Sequence, residues 1–229
     1  GVLFLLLRRL HAPWPWLVCL LFAVHPIQLE SVAWISQRKT LLGTLFGFAA
    51  AWEYLTARER GGEGRAPYVR AVIWFALSLA GKPVLITLPV LLVGYELLTA
   101  KTTYRAIAWR VAPFFMLSLV FGIVGVAYQQ KLIAGLDVRG QDFASRLASL
   151  GWAAWFYVRQ TFALSEMNFV YPRRQIDGAT VEAWLPNIAV AAVWGLTWRF
   201  RVRWGLFPFA AWTTYLVSMV PSLGIADVF

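Results

Sequence analysis

The sequence predicts an all-α polytopic membrane protein with about seven complete transmembrane helices and an N-terminal half-span. Three observations point there. Hydrophobic residues make up 60% of 229 and charged residues only 14%, against about 45–50% and about 25% in ordinary soluble domains. The apolar residues come in long runs divided by short basic clusters, as in helices that cross lipid and turn in water. Thirteen tryptophans suit the membrane–water interface, where indole rings gather.

The net charge of +10 then has a simple origin. Loop arginines and lysines orient the spans and face anionic headgroups, and no basic stripe on a water-exposed fold suggests nucleic acid. Cys19 is the single cysteine, which excludes an intrachain disulfide. His11 and His25 lack metal-ligand spacing, so a histidine-based zinc site is not expected.

Each element follows in order. Residues 2–7 form a half-span ending at Arg8 and Arg9, too short to cross about 30 Å of hydrocarbon. Residues 14–24 are a short apolar helix, stopped at His25-Pro26 because proline cannot continue it. Residues 40–55, 68–80 and 84–98 are the next spans, the last two broken at "GKP". Residues 111–128 follow, and residues 184–198 and 204–221 close the chain around "RFRVR". In lipid the backbone must satisfy itself, which requires helices. The ends, "GVLFLLLRRL" and "GIADVF", read as those of an internal piece of a longer membrane domain spanning residues 1–229.

Orientation follows from the short basic loops. Arg8/Arg9, Arg58/Arg60/Arg65/Arg70, Lys101/Arg105/Arg110 and Arg199/Arg201/Arg203 should share the cytoplasmic side. Residues 25–39, the Lys82 turn and the C-terminal segment then face outward. Residues 145–164 are long enough to span, yet a crossing would put "RFRVR" outside, and Arg146 and Arg159 flank or interrupt it. They are therefore read as an interfacial or re-entrant helix within one large outer loop, residues 129–183.

Four features carry candidate chemistry. In "HPIQLESVAWISQRK", Trp34 can anchor at the interface while Arg38 and Lys39 snorkel to lipid phosphates. Glu30 is harder to dismiss, since a carboxylate at membrane level tends to be paired or functional. It could hold a divalent cation beside a lipid-linked phosphate. Lys82, in "GKPVLITLP", either marks a hairpin or aims a point charge at a phosphate. Arg173 and Arg174, with Tyr171 and Asp177 in "FVYPRRQIDG", suit phosphate or carboxylate recognition, although loop charges are often only solvated. Gly43 and Gly47 form a GxxxG best read as close helix packing. Glu53 and Glu96 are read as interfacial.

The stretch "LLFAVHPIQLESVAWISQRKTLLGTLFGFAA" resembles the signature of membrane proteins that join a multi-span region to C-terminal TPR repeats. "LAGKPVLITLPVLLVGYELL", "YVRQTFALSEMNFVYPRR" and "AAWTTYLVSMVPSLGIADVF" continue the likeness in order. The animal relatives of that family are O-mannosyltransferases of the GT-C class. The resemblance implies a multi-pass protein of a bacterial inner membrane that takes a polyprenyl-phosphate sugar from the outer leaflet. The sugar would pass to a hydroxyl of a protein or glycan acceptor. Glu30, Arg38, Lys82, Arg173 and Arg174 would bind the donor, with Glu30 also at a possible divalent metal. The acidic base of the first outer loop would lie ahead of Gly1, and the TPR region is absent, so the piece is expected to be inactive alone. The alternatives are a non-catalytic membrane scaffold for TPR repeats and, with less support, a lipid transporter.

Overall fold

A computed structural model describes residues 1–61, 64–99, 103–133, 142–163 and 176–219, and all the regular elements among them are helical. Two compact units divide the chain, residues 1–125 and 126–229.

The first unit begins with α1 (Val2–Arg9) and α2 (Pro15–Val24). Pro15 sits in the first turn of α2, where its missing N–H costs nothing. The short α3 (Gln28–Ala33) and one 3-10 turn lead into α4 (Arg38–Glu59). α5 (Arg65–Gly81) ends just before Pro83, and a 3-10 turn through Leu85 connects it to α6 (Leu88–Thr99). α7 (Tyr104–Ile133) carries Pro113 within it and runs past the unit boundary.

The α4–α5 contact is the tightest in this unit. A Cβ on Gly43 would lie 3.0 Å from the Lys82 carbonyl oxygen and 3.2 Å from that of Ser78. Ser78 donates its hydroxyl proton to the Gly43 carbonyl at 2.6 Å. The GxxxG spacing therefore serves close helix packing, as its small residues suggest. Around this contact the core gathers Ala50, Tyr54, Ala71, Phe75, Leu79, Leu88, Leu92, Ile107, Val111 and Phe114. Phe114 is its aromatic centre. Tyr54 and Tyr68 meet it edge-on at 5.6 and 6.1 Å, and Phe75 tilts against it at 5.5 Å.

The second unit holds α8 (Phe143–Phe162), α9 (Leu185–Arg199), the single turn α10 (Arg201–Trp204) and α11 (Phe207–Met219). Asp142 caps α8 by accepting the Ser145 N–H at 3.3 Å. Ser145, Ala148, Gly151 and Ala154 are buried, so α8 turns a stripe of small residues inward. Gly151 lets the backbones nearly touch: a Cβ there would lie 2.7 Å from the Pro186 carbonyl carbon. Asn187 stitches this approach, accepting the Gly151 N–H at 3.1 Å and donating to the Ala148 carbonyl at 2.8 Å. Trp155 donates its indole N–H to the Pro186 carbonyl at 3.1 Å, and Tyr215 donates to the Ala154 carbonyl at 2.6 Å. Gly205, at φ 79°, supplies the left-handed bend between α10 and α11.

This architecture corrects the expectation of about seven transmembrane helices. Among the described residues one helix, over Tyr104–Tyr128 within α7, is long and apolar enough to cross a membrane. A crossing needs about 20 apolar residues, and α2, α6, α9 and α11 have 10, 12, 15 and 13. α4 has 22 residues but carries Arg38, Lys39, Glu53, Arg58 and Glu59. α8 has 20 and is interrupted by Arg146 and Arg159. The basic clusters fall inside helices, not only in the turns between them, and this shortens the charge-free stretches. The expected outer loop of residues 129–183 contains the end of α7 and all of α8, and residues 25–39 are largely helical.

The α4–α5 contact gives a direct contrast in stability. Gly43→Val should cost about 1–3 kcal/mol by overpacking against two backbone carbonyls. Gly94→Ala, which meets nothing within 4 Å, should be neutral or stabilise by up to about 1 kcal/mol. Thermal unfolding in detergent would read both. Equal midpoints for the two variants would contradict the close approach.

Candidate functional site

Two charged ends of α4 carry the candidate chemistry, roughly 27 Å apart at 1.5 Å per residue from Thr40 to Arg58. At the first end, α5 stops at Gly81 and delivers Lys82 to the beginning of α4. The Lys82 ammonium donates to Thr40 Oγ1 at 3.1 Å, and Thr40 donates to Gln37 Oε1 at 2.7 Å. Arg38 and Lys39 are exposed in the same turn. Gln37, the residue before the helix, makes no side-chain cap. Cationic groups and a hydroxyl are thus held where the helix dipole is positive. The cationic groups among them are suited to an anion.

Of the sequence-derived set, Lys82 reaches Thr40, two residues after the exposed Arg38. Glu30 lies in α3 close by in sequence, and its side chain is outside the described residues. Arg173 and Arg174 lie outside them altogether, as does Tyr171. Asp177 is described and has a local role: Oδ1 accepts the Ala179 N–H at 2.9 Å, and its carbonyl accepts the Thr180 hydroxyl at 3.0 Å. That is an Asx-type turn.

At the second end, three carboxylates tie helices together. Glu59 accepts from Arg9 Nε and Nη2 at 2.8 and 2.5 Å, so α1 is held to α4 by a forked pair. Arg9 also donates to Thr56 Oγ1 at 2.8 Å and lies 4.5 Å over the Trp52 ring. Arg70 makes a second fork to Glu53, both bonds 3.0 Å, joining α5 to α4.

Glu96 on α6 is the third and was missed as a site by the sequence reading. It was expected at the interface; instead it is fully buried, at 0% exposure. Tyr54 donates to Glu96 Oε1 at 2.7 Å. Arg58 Nε closes on the same oxygen, and Arg110 Nη1 lies 3.6 Å from Oε2. Neither guanidinium nitrogen makes an in-line hydrogen bond; the attraction there is ionic. A buried charge must be compensated, and α4 and α7 supply two cations for one anion. A lone carboxylate inside the apolar run 84–98, with arginines ending the neighbouring helices, was the available signal.

The pair at Glu59 is exposed, and Arg9 holds its carboxyl below the usual carboxylate range, chiefly through the side-chain hydrogen bond. A lowered folded value means the contribution is full above the unfolded value and lost as pH falls through the folded one.

Comparison with protein-family models, with curated proteins and with solved structures finds no match to this chain.

Two expectations follow from the ionic end. Glu96→Gln leaves two arginines without their buried partner and should cost roughly 3–5 kcal/mol. Glu53→Gln at the more exposed pair should cost no more than about 1 kcal/mol. Unfolding midpoints of the two variants test the ordering, and a larger loss at Glu53 would reverse it. Separately, the midpoint advantage of the wild type over Glu59→Gln should be present at pH 7 and vanish on acidification below the usual glutamate range. A gap that persisted to pH 3 would contradict the Arg9 pairing.

Proposed function

We propose that this chain is the donor-holding part of a membrane-bound glycosyltransferase that uses a polyprenyl-phosphate sugar. The observation that carries the reading is the Lys82 ammonium on Thr40 at the start of α4, beside exposed Arg38 and Lys39. Helix N-termini and lysine point charges both favour phosphate. Support for the membrane comes from α7. Only 11% of its apolar window is buried, and Met116, Leu119, Val120, Ile123 and Val124 are all at least 55% exposed. A buried core helix would not leave such a surface in water. Tyr104, Trp109 and Tyr128 mark its two ends, also exposed, as an interfacial aromatic belt would.

In this reading α7 anchors the chain in a bacterial inner membrane. Lys82 and Arg38 hold the donor phosphate, joined by Arg173 and Arg174. Glu30 orients the donor. The bond between sugar C1 and phosphate oxygen breaks as the acceptor oxygen bonds C1, and polyprenyl phosphate leaves. Lys82 stabilises the charge that stays on the leaving phosphate. The acceptor hydroxyl, of a protein or glycan, gives its proton to a carboxylate base.

Lys82→Ala should raise the donor KM roughly 10–150-fold, the value of one charge-assisted contact. The folded midpoint should change little, and Lys82→Arg should recover part of the loss. Transfer from a radiolabelled donor measures it. An unchanged KM removes Lys82 from the site, and a wild type that neither transfers nor hydrolyses the donor favours a non-catalytic scaffold.

A further inference from the structure

The Arg58–Glu96–Arg110 cluster has a use that its structural role does not exhaust. Two guanidiniums share one carboxylate, so the cluster keeps one unit of positive charge after Glu96 is neutralised. Each guanidinium has five N–H donors in a planar fork, and Glu96 engages only part of each. Neither is sealed in: the side chains of Arg58 and Arg110 are 26% and 35% exposed. Glu96 itself is wholly buried and anchored by Tyr54. The carboxylate therefore fixes two arginines from different helices, each of whose side chains stays partly exposed.

The surroundings favour an anion at that spot. Arg60, Arg65 and Arg105 are exposed and make no ion pair among the described residues. Leu97 and Leu98, directly after Glu96 on α6, are 53% and 49% exposed, and Trp109, beside Arg110 on α7, is 71% exposed. A positively charged pair on helices that also carry exposed leucine and tryptophan side chains matches a phosphate carried on an acyl body better than a freely soluble anion. Guanidinium forks bind phosphate oxygens in pairs.

We propose that Arg58 and Arg110, held by Glu96, form a phosphate-binding site for the headgroup of an anionic lipid. It lies at the opposite end of α4 from Lys82 and is independent of any sugar donor. It rests on the membrane reading of α7 only for the lipid as the source of the phosphate. Glu96 is a positioning residue: it sets the two guanidiniums and leaves the phosphate to them.

The test uses the full chain in nanodiscs. Phosphatidylglycerol in a phosphatidylcholine disc should raise the thermal midpoint, and native mass spectrometry should find one phosphatidylglycerol retained per chain. Arg110→Gln should weaken retention roughly tenfold. Arg110→Lys, which keeps the charge and the fold but loses the fork, should weaken it severalfold. The triple variant of Arg60, Arg65 and Arg105 to Gln should keep the bound lipid. Inorganic phosphate in pure phosphatidylcholine discs separates the sources: a matching midpoint rise that Arg110→Gln abolishes supports the site but assigns it to soluble phosphate. Loss of retention in the triple variant with none in Arg110→Gln means diffuse attraction and overturns the proposal, as does the absence of any shift. Labelling Tyr104→Cys and Tyr128→Cys in sealed vesicles checks the α7 reading separately.

Discussion

The rest of the first unit depends on how closely α4 and α5 approach. Gly43 offers no side chain, Ser78 reaches across to its carbonyl, and the two helices meet backbone to backbone. Once they are set, the end of α5 must fall beside the start of α4, and this carries Lys82 to Thr40. The same register fixes the far end. Glu53 meets Arg70 there, and Arg58 pairs with Glu96 of α6. A single steric fact, the absent Cβ, thus sets charge placement at both ends of a 22-residue rod.

The two ends are chemically unlike. At the Lys82 end the ammonium donates to the Thr40 hydroxyl, which in turn donates to the Gln37 amide, and no carboxylate pairs with it among the described residues; its charge remains available to an anion. At the other end Glu53, Glu59 and Glu96 take up four arginines, Arg9, Arg58, Arg70 and Arg110. Only the last carboxylate is buried. Exposed forks contribute little to stability, whereas a buried carboxylate between two cations strongly resists the loss of its partners. Glu96 therefore acts as the ionic lock of α4, α6 and α7, above the aromatic cluster centred on Phe114.

Much of the helix layout was legible in the sequence, and for identifiable reasons. Pro26, Pro83 and Gly81 mark ends because proline cannot continue a helix and has no N–H to give. The Gly43/Gly47 spacing announced the tight contact. The number of crossings was not legible. Apolar composition does not reveal that Arg58 and Glu59 lie within a helix, and it is helix length together with charge that limits a crossing. Glu96 was misjudged because a position near a segment end says nothing of the neighbours. Its partners come from residues 54, 58 and 110, and only the packing of three helices brings them together. The roles that the resemblance implies for Glu30, Arg173 and Arg174 concern side chains outside the described residues.

The central claim is that the α4–α5 approach places Lys82 on the first turn of α4, and cross-linking tests it most directly. Thr40→Cys and Lys82→Cys would be combined in a Cys19→Ser background, which leaves no other thiol. A short bifunctional thiol reagent would be applied to the folded protein in detergent. Rapid intramolecular cross-linking of this pair is expected, with none for Lys82→Cys paired with Glu59→Cys at the far end of α4. Cross-linking of both pairs at similar rates, or of neither while the protein stays folded, would contradict the account.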